Sequence, residues 1–240
     1  MMNEDPRMIN LSQTTDGRFA VSGAFSKLMR NVYLWMTLAL AITGLTAAYV
    51  SRDLQLLSMM SGGMMLGRVI AALGVVLVLS AAINRLSFPV AGLMFLAYSL
   101  LNGVTFSVIL LAYTASSIAT TFFVTAGTFG AMTLVGFFIK KDLSGMGRIL
   151  MMALIGIIIA TVVNMFVASS VLDWALTYLG VAVFVGLTAY DTQKIRNIML
   201  VHGHEVNDST MKLALMCSLT LYLDFINLFL YLLRIFGDRK

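Results

Sequence analysis

Between Leu86 and Ile139 the chain carries no charged side chain. A helix crosses the hydrocarbon of a bilayer in about 20 apolar residues, so this stretch is long enough for two crossings. Its polar interruption, Tyr113-Thr114-Ala115-Ser116-Ser117, is the natural turn between them. In water such a stretch would leave a domain with too little to cover its surface. Charged residues make up about a quarter of an ordinary soluble domain but 11% of this chain, of which 60% is hydrophobic. The charges fall in short clusters between apolar runs, the pattern of a polytopic α-helical membrane protein.

Counting runs gives seven transmembrane helices. The first covers about Asn31 to Val50, with Tyr33 and Trp35 near one interface. The second runs from about Gly67 to Asn84, with Arg68 snorkelling at its end. Before it, Leu54, Leu57 and Met60 alternate with polar residues, as in a segment lying on the membrane surface. The third and fourth share the charge-free stretch. The fifth follows Arg148 and ends near Ala168, the sixth begins near Trp174 and runs through Gln193, and the last covers Met211 to Phe236. Residues 1–24 are polar without periodicity and read as a mobile cytoplasmic tail, leaving 25–240 as a single transmembrane domain. No signal peptide is expected, because the first apolar run looks like a retained span. Small residues four apart (Ala126 with Gly130, Gly127 with Ala131, Gly156 with Ala160) are expected to let helices approach closely. The 18 methionines read as gap-fillers.

The net charge of +5 resides in the loops, where it sets orientation and does not suggest nucleic acid. Eleven lysines and arginines fall on the side of the N-terminus and five on the other. The N-terminus is therefore expected in the cytoplasm and the C-terminus outside. Cys217 is a lone thiol in an apolar run and reads as a small buried hydrophobe.

Two acids fall inside or against the spans. Asp224 lies about 12 residues into the last span, near the bilayer centre at 1.5 Å per residue. Asp191 is expected at the cytoplasmic end of the sixth span, between Tyr190 and Gln193. The sixth span descends to the cytoplasm and the last climbs from it, so the two carboxyls are placed to meet in the inner half of the membrane. An acid at membrane depth is costly and is a functional candidate by default. With no basic residue at matching depth, the remaining solution is protonation, and two neighbouring carboxyls in low dielectric share a proton. Such a pair is a proton sensor and, ionised, a weak cation site. Calcium takes six to eight oxygen ligands. Asp191, Asp224, Asn227, Gln193, Tyr222 and water would supply only a loose set.

Other chemistries fit less well. His202, His204 and Glu205 form a compact group in the loop before the last span, more often solvated than metal-binding. No phosphate-binding Gly-rich loop followed by Lys is present, and no histidine lies at membrane depth for serine hydrolysis. An aspartate pair also evokes an intramembrane aspartyl protease. That family, however, pairs Tyr-Asp with Gly-x-Gly-Asp and Pro-Ala-Leu, whereas Asp224 follows Leu221-Tyr222-Leu223 and no proline follows Pro89.

The stretches Gly186-Leu187-Thr188-Ala189-Tyr190-Asp191-Thr192-Gln193 and Leu219-Thr220-Leu221-Tyr222-Leu223-Asp224-Phe225-Ile226-Asn227-Leu228-Phe229 resemble the Bax inhibitor-1 family. So does Ala119-Thr120-Thr121-Phe122-Phe123-Val124-Thr125-Ala126-Gly127 in the fourth span. The similarity runs from about Tyr33 to Phe236 and looks most like a bacterial inner-membrane member. It implies two three-helix layers around a central last helix, and a pH-sensitive calcium leak gated by Asp191 and Asp224. It also implies a basic latch on the second span, for which Arg85 is the nearest match. The 33 positions separating the two aspartates suggest a long loop between their spans. The expected partners are the lipid bilayer, calcium or other cations, and other membrane proteins; no enzymatic activity and no cofactor beyond weakly bound calcium are expected.

Overall fold

The computed structural model describes residues 6–53, 74, 86–202 and 205–240, with side chains from Gly23 onward. Six long helices occur among them: α1 (Pro6–Val50), α2 (Phe88–Ala112), α3 (Ala115–Phe138), α4 (Ser144–Val167), α5 (Ser170–His202) and α6 (Asp208–Phe236). All six are long and apolar enough to cross a membrane, α1 from Gly23 onward. The span expected over Gly67–Asn84 lies outside the described residues apart from Gly74, as do the surface segment from Leu54 to Met60, Arg85 and His204.

Local chemistry sets the helix ends. Pro89 sits in the first turn of α2, where its missing N–H costs nothing. The Thr114 side chain caps α3 by accepting from the backbone N–H of Ser117. Asn207 and Thr210 form a reciprocal capping box at the start of α6, at 3.0 and 2.9 Å. α4 ends at Ala168 in the left-handed conformation (φ 53°), and the Asn164 side chain accepts from the backbone N–H of Ser169 at 3.0 Å. Within the spans, Ser and Thr hydroxyls donate to carbonyls one turn back, as from Thr125 to Thr121 and from Thr188 to Phe184, both at 2.7 Å. Such bonds satisfy polar groups that lipid cannot.

α6 is the hub. Of its most apolar window 61% is buried, against 39% for α5 and 11% for α4. It packs on α1 and α2 on one side and on α3 and α5 on the other, while α4 rests mainly on α5. This is the expected central last helix, with one layer made here by α1 and α2 and the other by α3, α4 and α5. Tyr222 and Phe225 point to opposite layers: Tyr222 meets Phe95 and Tyr98 edge-on at 5.7 and 6.0 Å, and Phe225 meets Phe129 at 5.4 Å.

Hydrogen bonds tie the loops at each end. At one end Gln193 holds the α3–α4 connection, and the Lys212 ammonium donates to the Leu86 carbonyl at 3.2 Å. At the other, Arg234 pairs with Asp173, and the backbone N–H of Thr114 donates to the Asp238 carbonyl at 2.9 Å.

Two expectations change, the end of α5 and the direction of the small-residue stripes. α5 does not end near Gln193 but runs on to His202, because Ile195 and Met199 keep an apolar stripe facing the protein. Most of the 33 positions between the aspartates are therefore helix, and the connection between α5 and α6 is short. The backbone is helical from Pro6, through most of the segment that composition reads as a tail. A side chain at Gly127, Gly130 or Gly156 would meet nothing within 4 Å. The close approaches are at Gly103, against Thr43 and Thr46 of α1, and at Gly136, Gly147 and Gly180. Spacing identifies a small-residue stripe but not the direction in which it faces.

Candidate functional site

On α6, Thr220, Leu223, Asp224, Asn227 and Tyr231 recur at helical spacing and make one stripe. On α5, Phe184, Leu187 and Asp191 do the same. The stripes face one another, with Met151, Leu154, Ile157, Ile158 and Thr161 of α4 closing the third side of a cavity of about 550 Å³. The carboxyls of Asp191 and Asp224 stand within reach of a hydrogen bond, so that one can donate to the other. Both residues are buried, at 8% and 5% exposed, and Oδ2 of Asp224 has no hydrogen-bond partner among the described residues. The juxtaposition read from the sequence is present.

No lysine or arginine among the described residues forms an ion pair with either acid; the pairs seen are Lys212–Asp208 and Arg234–Asp173. Lys194, one position beyond Gln193 on α5, is close enough for its charge to act on Asp191. It lies 5.9 Å from the centre of the Tyr190 ring. Cys217 of α6 also lies within electrostatic range of Asp191. Arg196 is committed elsewhere: it donates to the Phe137 carbonyl and stands over that residue's ring.

Of the supporting residues among those described, Asn227 alone lines the cavity; its amide N–H donates to the Leu223 carbonyl at 2.7 Å. Gln193 is fully used in the α3–α4 connection. It accepts from the backbone N–H of Leu143 at 2.8 Å and donates to the carbonyls of Lys141 and Ile139 at 2.9 and 3.4 Å. Tyr190 turns away toward α4, its ring against Gly147 and beside Arg148. Tyr222 is on the far face of α6, sharing a hydrogen with Thr43 at 2.8 Å and accepting from Asn102 at 3.2 Å. Two positions along a helix is more than half a turn, so Tyr222 and Asp224 cannot share a site. Thr220, which the sequence reading passed over, lies one turn before Asp224 and is found by that spacing. The side-chain oxygens lining the cavity are those of Asp191, Asp224, Thr220 and Asn227, with the hydroxyls of Thr161 and Tyr231. His202 is exposed, its ring nitrogen 3.2 Å from the Ile198 carbonyl. Among the described residues no three or more His, Cys, Asp or Glu side chains group as metal ligands.

The sequence profile described as "Inhibitor of apoptosis-promoting Bax1" matches residues 25–240, all of the span that carries the two aspartates. The chain belongs to the Bax inhibitor-1 family. It is 50% identical over 214 residues to the inner membrane protein YbhL of Escherichia coli K12, covering 88% of this chain and 92% of that one. An uncharacterized protein of Deinococcus radiodurans is 44% identical over 213 residues, 88% of this chain and 90% of its own. Another, RP147 of Rickettsia prowazekii, is 39% identical over 230 residues, 95% of this chain and 96% of its own. Among Bax inhibitor-1 proteins this chain is thus a membrane-embedded helical member whose family motifs coincide with the buried carboxyl pair.

Proposed function

We propose that this Bax inhibitor-1 protein is a cation leak pathway of the inner membrane, with calcium as its cargo, governed by protonation of Asp191 and Asp224. The observation that carries the reading is the meeting of two buried carboxyls on adjacent helices without an ion-pairing base among the described residues. Two unit charges about 4 Å apart repel by about 4 kcal/mol at an effective dielectric near 20. Loss of a shared proton therefore pushes α5 and α6 apart at this level, by enough to shift a two-state equilibrium by orders of magnitude. When ionised, the pair with Thr220 and Asn227 offers a sparse oxygen set, suited to passage and not to storage. In this reading the N-terminus is cytoplasmic and the C-terminus outside.

The test is calcium flux into dye-loaded proteoliposomes made with the purified protein. Flux above that of protein-free vesicles is expected. Flux at the protein-free level would leave regulation of other membrane proteins through helix contacts as the surviving reading.

A further inference from the structure

We propose that the cavity beside the aspartate pair binds lipophilic amines that reach it sideways from the bilayer. The inference rests on the leak reading only for the importance of that pair, and it names a ligand the leak does not require. At about 550 Å³ the cavity has the volume of a small-molecule site. Its walls are mostly hydrocarbon, including Leu154, Ile157 and Leu187, and its polar groups are few. A hydrated metal ion gains nothing from such walls. An ammonium group on an apolar body gains from both parts, burying hydrocarbon while making a charge-assisted hydrogen bond. The acceptor for that bond is in place: Asp224 is 5% exposed, lines the cavity, and has no partner for its Oδ2 among the described residues. A buried acceptor without a donor is costly, and no lysine or arginine among the described residues forms an ion pair with either acid.

The route is lateral. Met151 and Ile158 line the cavity and are also 47% and 55% exposed on the outer face of α4. Among the described residues α4 rests mainly on α5, and the exposed Met151 and Ile158 side chains open the cavity toward the outer face of α4. An amine dissolved in the bilayer meets the carboxyls there without first crossing water.

The experiment uses the full chain in phospholipid nanodiscs and two photoreactive probes of equal length, a diazirine-bearing dodecylamine and the matching dodecanol, with labelled residues mapped by mass spectrometry. Saturable labelling of cavity residues on α4 and α6 by the amine, and none by the alcohol, is expected. Asp224→Asn should weaken amine labelling about tenfold, the loss of one charged hydrogen bond. Leu154→Trp, which fills the cavity and keeps both carboxyls, should lower it similarly and decides the matter if Asp224→Asn does not fold. Equal labelling by amine and alcohol would mean a slot for lipid tails and overturn the proposal, as would amine labelling that survives Leu154→Trp. Amine labelling in a protein that passes no calcium would refute the leak alone; calcium flux without amine labelling would refute this proposal alone.

Discussion

Gly136 of α3 lies directly against the carbonyl oxygen of Ala189 on α5, leaving no room for a side chain between the two helices. The next residue, Tyr190, presses its ring on Gly147 of α4 in the same way. Asp191 follows immediately, so its position is fixed by two close contacts just before it, one through the backbone of Ala189 and one through the ring of Tyr190. Gly136→Ala should push α3 from α5 and cost about 1–3 kcal/mol, the usual penalty of overpacking. Thermal unfolding in detergent checks this. An unchanged midpoint would mean that the helices yield without cost and that Asp191 is not held as described.

Asp224→Asn should remove the repulsion and leave a neutral hydrogen-bonding pair. Calcium flux would then no longer vary between about pH 5 and pH 8. Asp191→Asn should do nearly the same, and the double variant should add little, because contacting residues act as a unit. Asp142 supplies the control. Its carboxyl lies outside the spans and accepts from the Ser144 backbone N–H and hydroxyl, at 2.9 and 2.7 Å, which holds it below its ordinary value of 3.8. A lowered carboxyl contributes at neutral pH, and that contribution fades only as pH falls through the acid range below the ordinary value. Asp142→Asn should therefore keep the wild-type profile. Should both single variants at the pair also keep it, the shared-proton switch is wrong.

Tyr222→Phe tests which face of α6 matters. It removes the hydroxyl that bonds Thr43 and Asn102, and should cost about 1–3 kcal/mol of stability. The pH profile of calcium flux should stay as in the wild type. A profile that moves with this variant would join the two faces into one device.

Topology is checked with fusions. Alkaline phosphatase after Lys240 should be active and a cytoplasm-only reporter there silent, as the loop charges require. The reverse result would overturn the orientation and the count of seven spans.

The protease reading predicts aspartate-dependent cleavage of a helical substrate by the purified protein. We expect no cleavage by the wild type. Reproducible cleavage that Asp224→Asn abolishes would put hydrolysis ahead of conduction.

Much of the fold was legible because hydropathy reports which segments meet lipid. The Tyr113–Ser117 break falls where α2 gives way to α3, and the pairing of Asp191 with Asp224 follows from two antiparallel spans each carrying one acid. Hydropathy says less about where a helix stops. Lys194 and Arg196 mark the edge of the apolar part of α5, but water supports a helix as readily as a loop, so α5 continues. Tyr222 was grouped with Asp224 by closeness in sequence, when rotation around the helix decides what can meet. Gln193 shows a third limit. Its type and position suit a cation ligand, and only its bonds to Leu143, Lys141 and Ile139 reveal that it is already occupied.

α4 has 24 residues, about 36 Å of helix at 1.5 Å per residue, against a hydrocarbon core of about 30 Å. A helix longer than its membrane tilts to fit, and among the described residues α4 is braced mainly by α5. Because α4 also forms one wall around the carboxyls, a thicker or thinner bilayer alters the width of the gap beside them. Membrane thickness thereby becomes a mechanical input to the aspartates, one that flux measured in lipids of graded chain length would read directly.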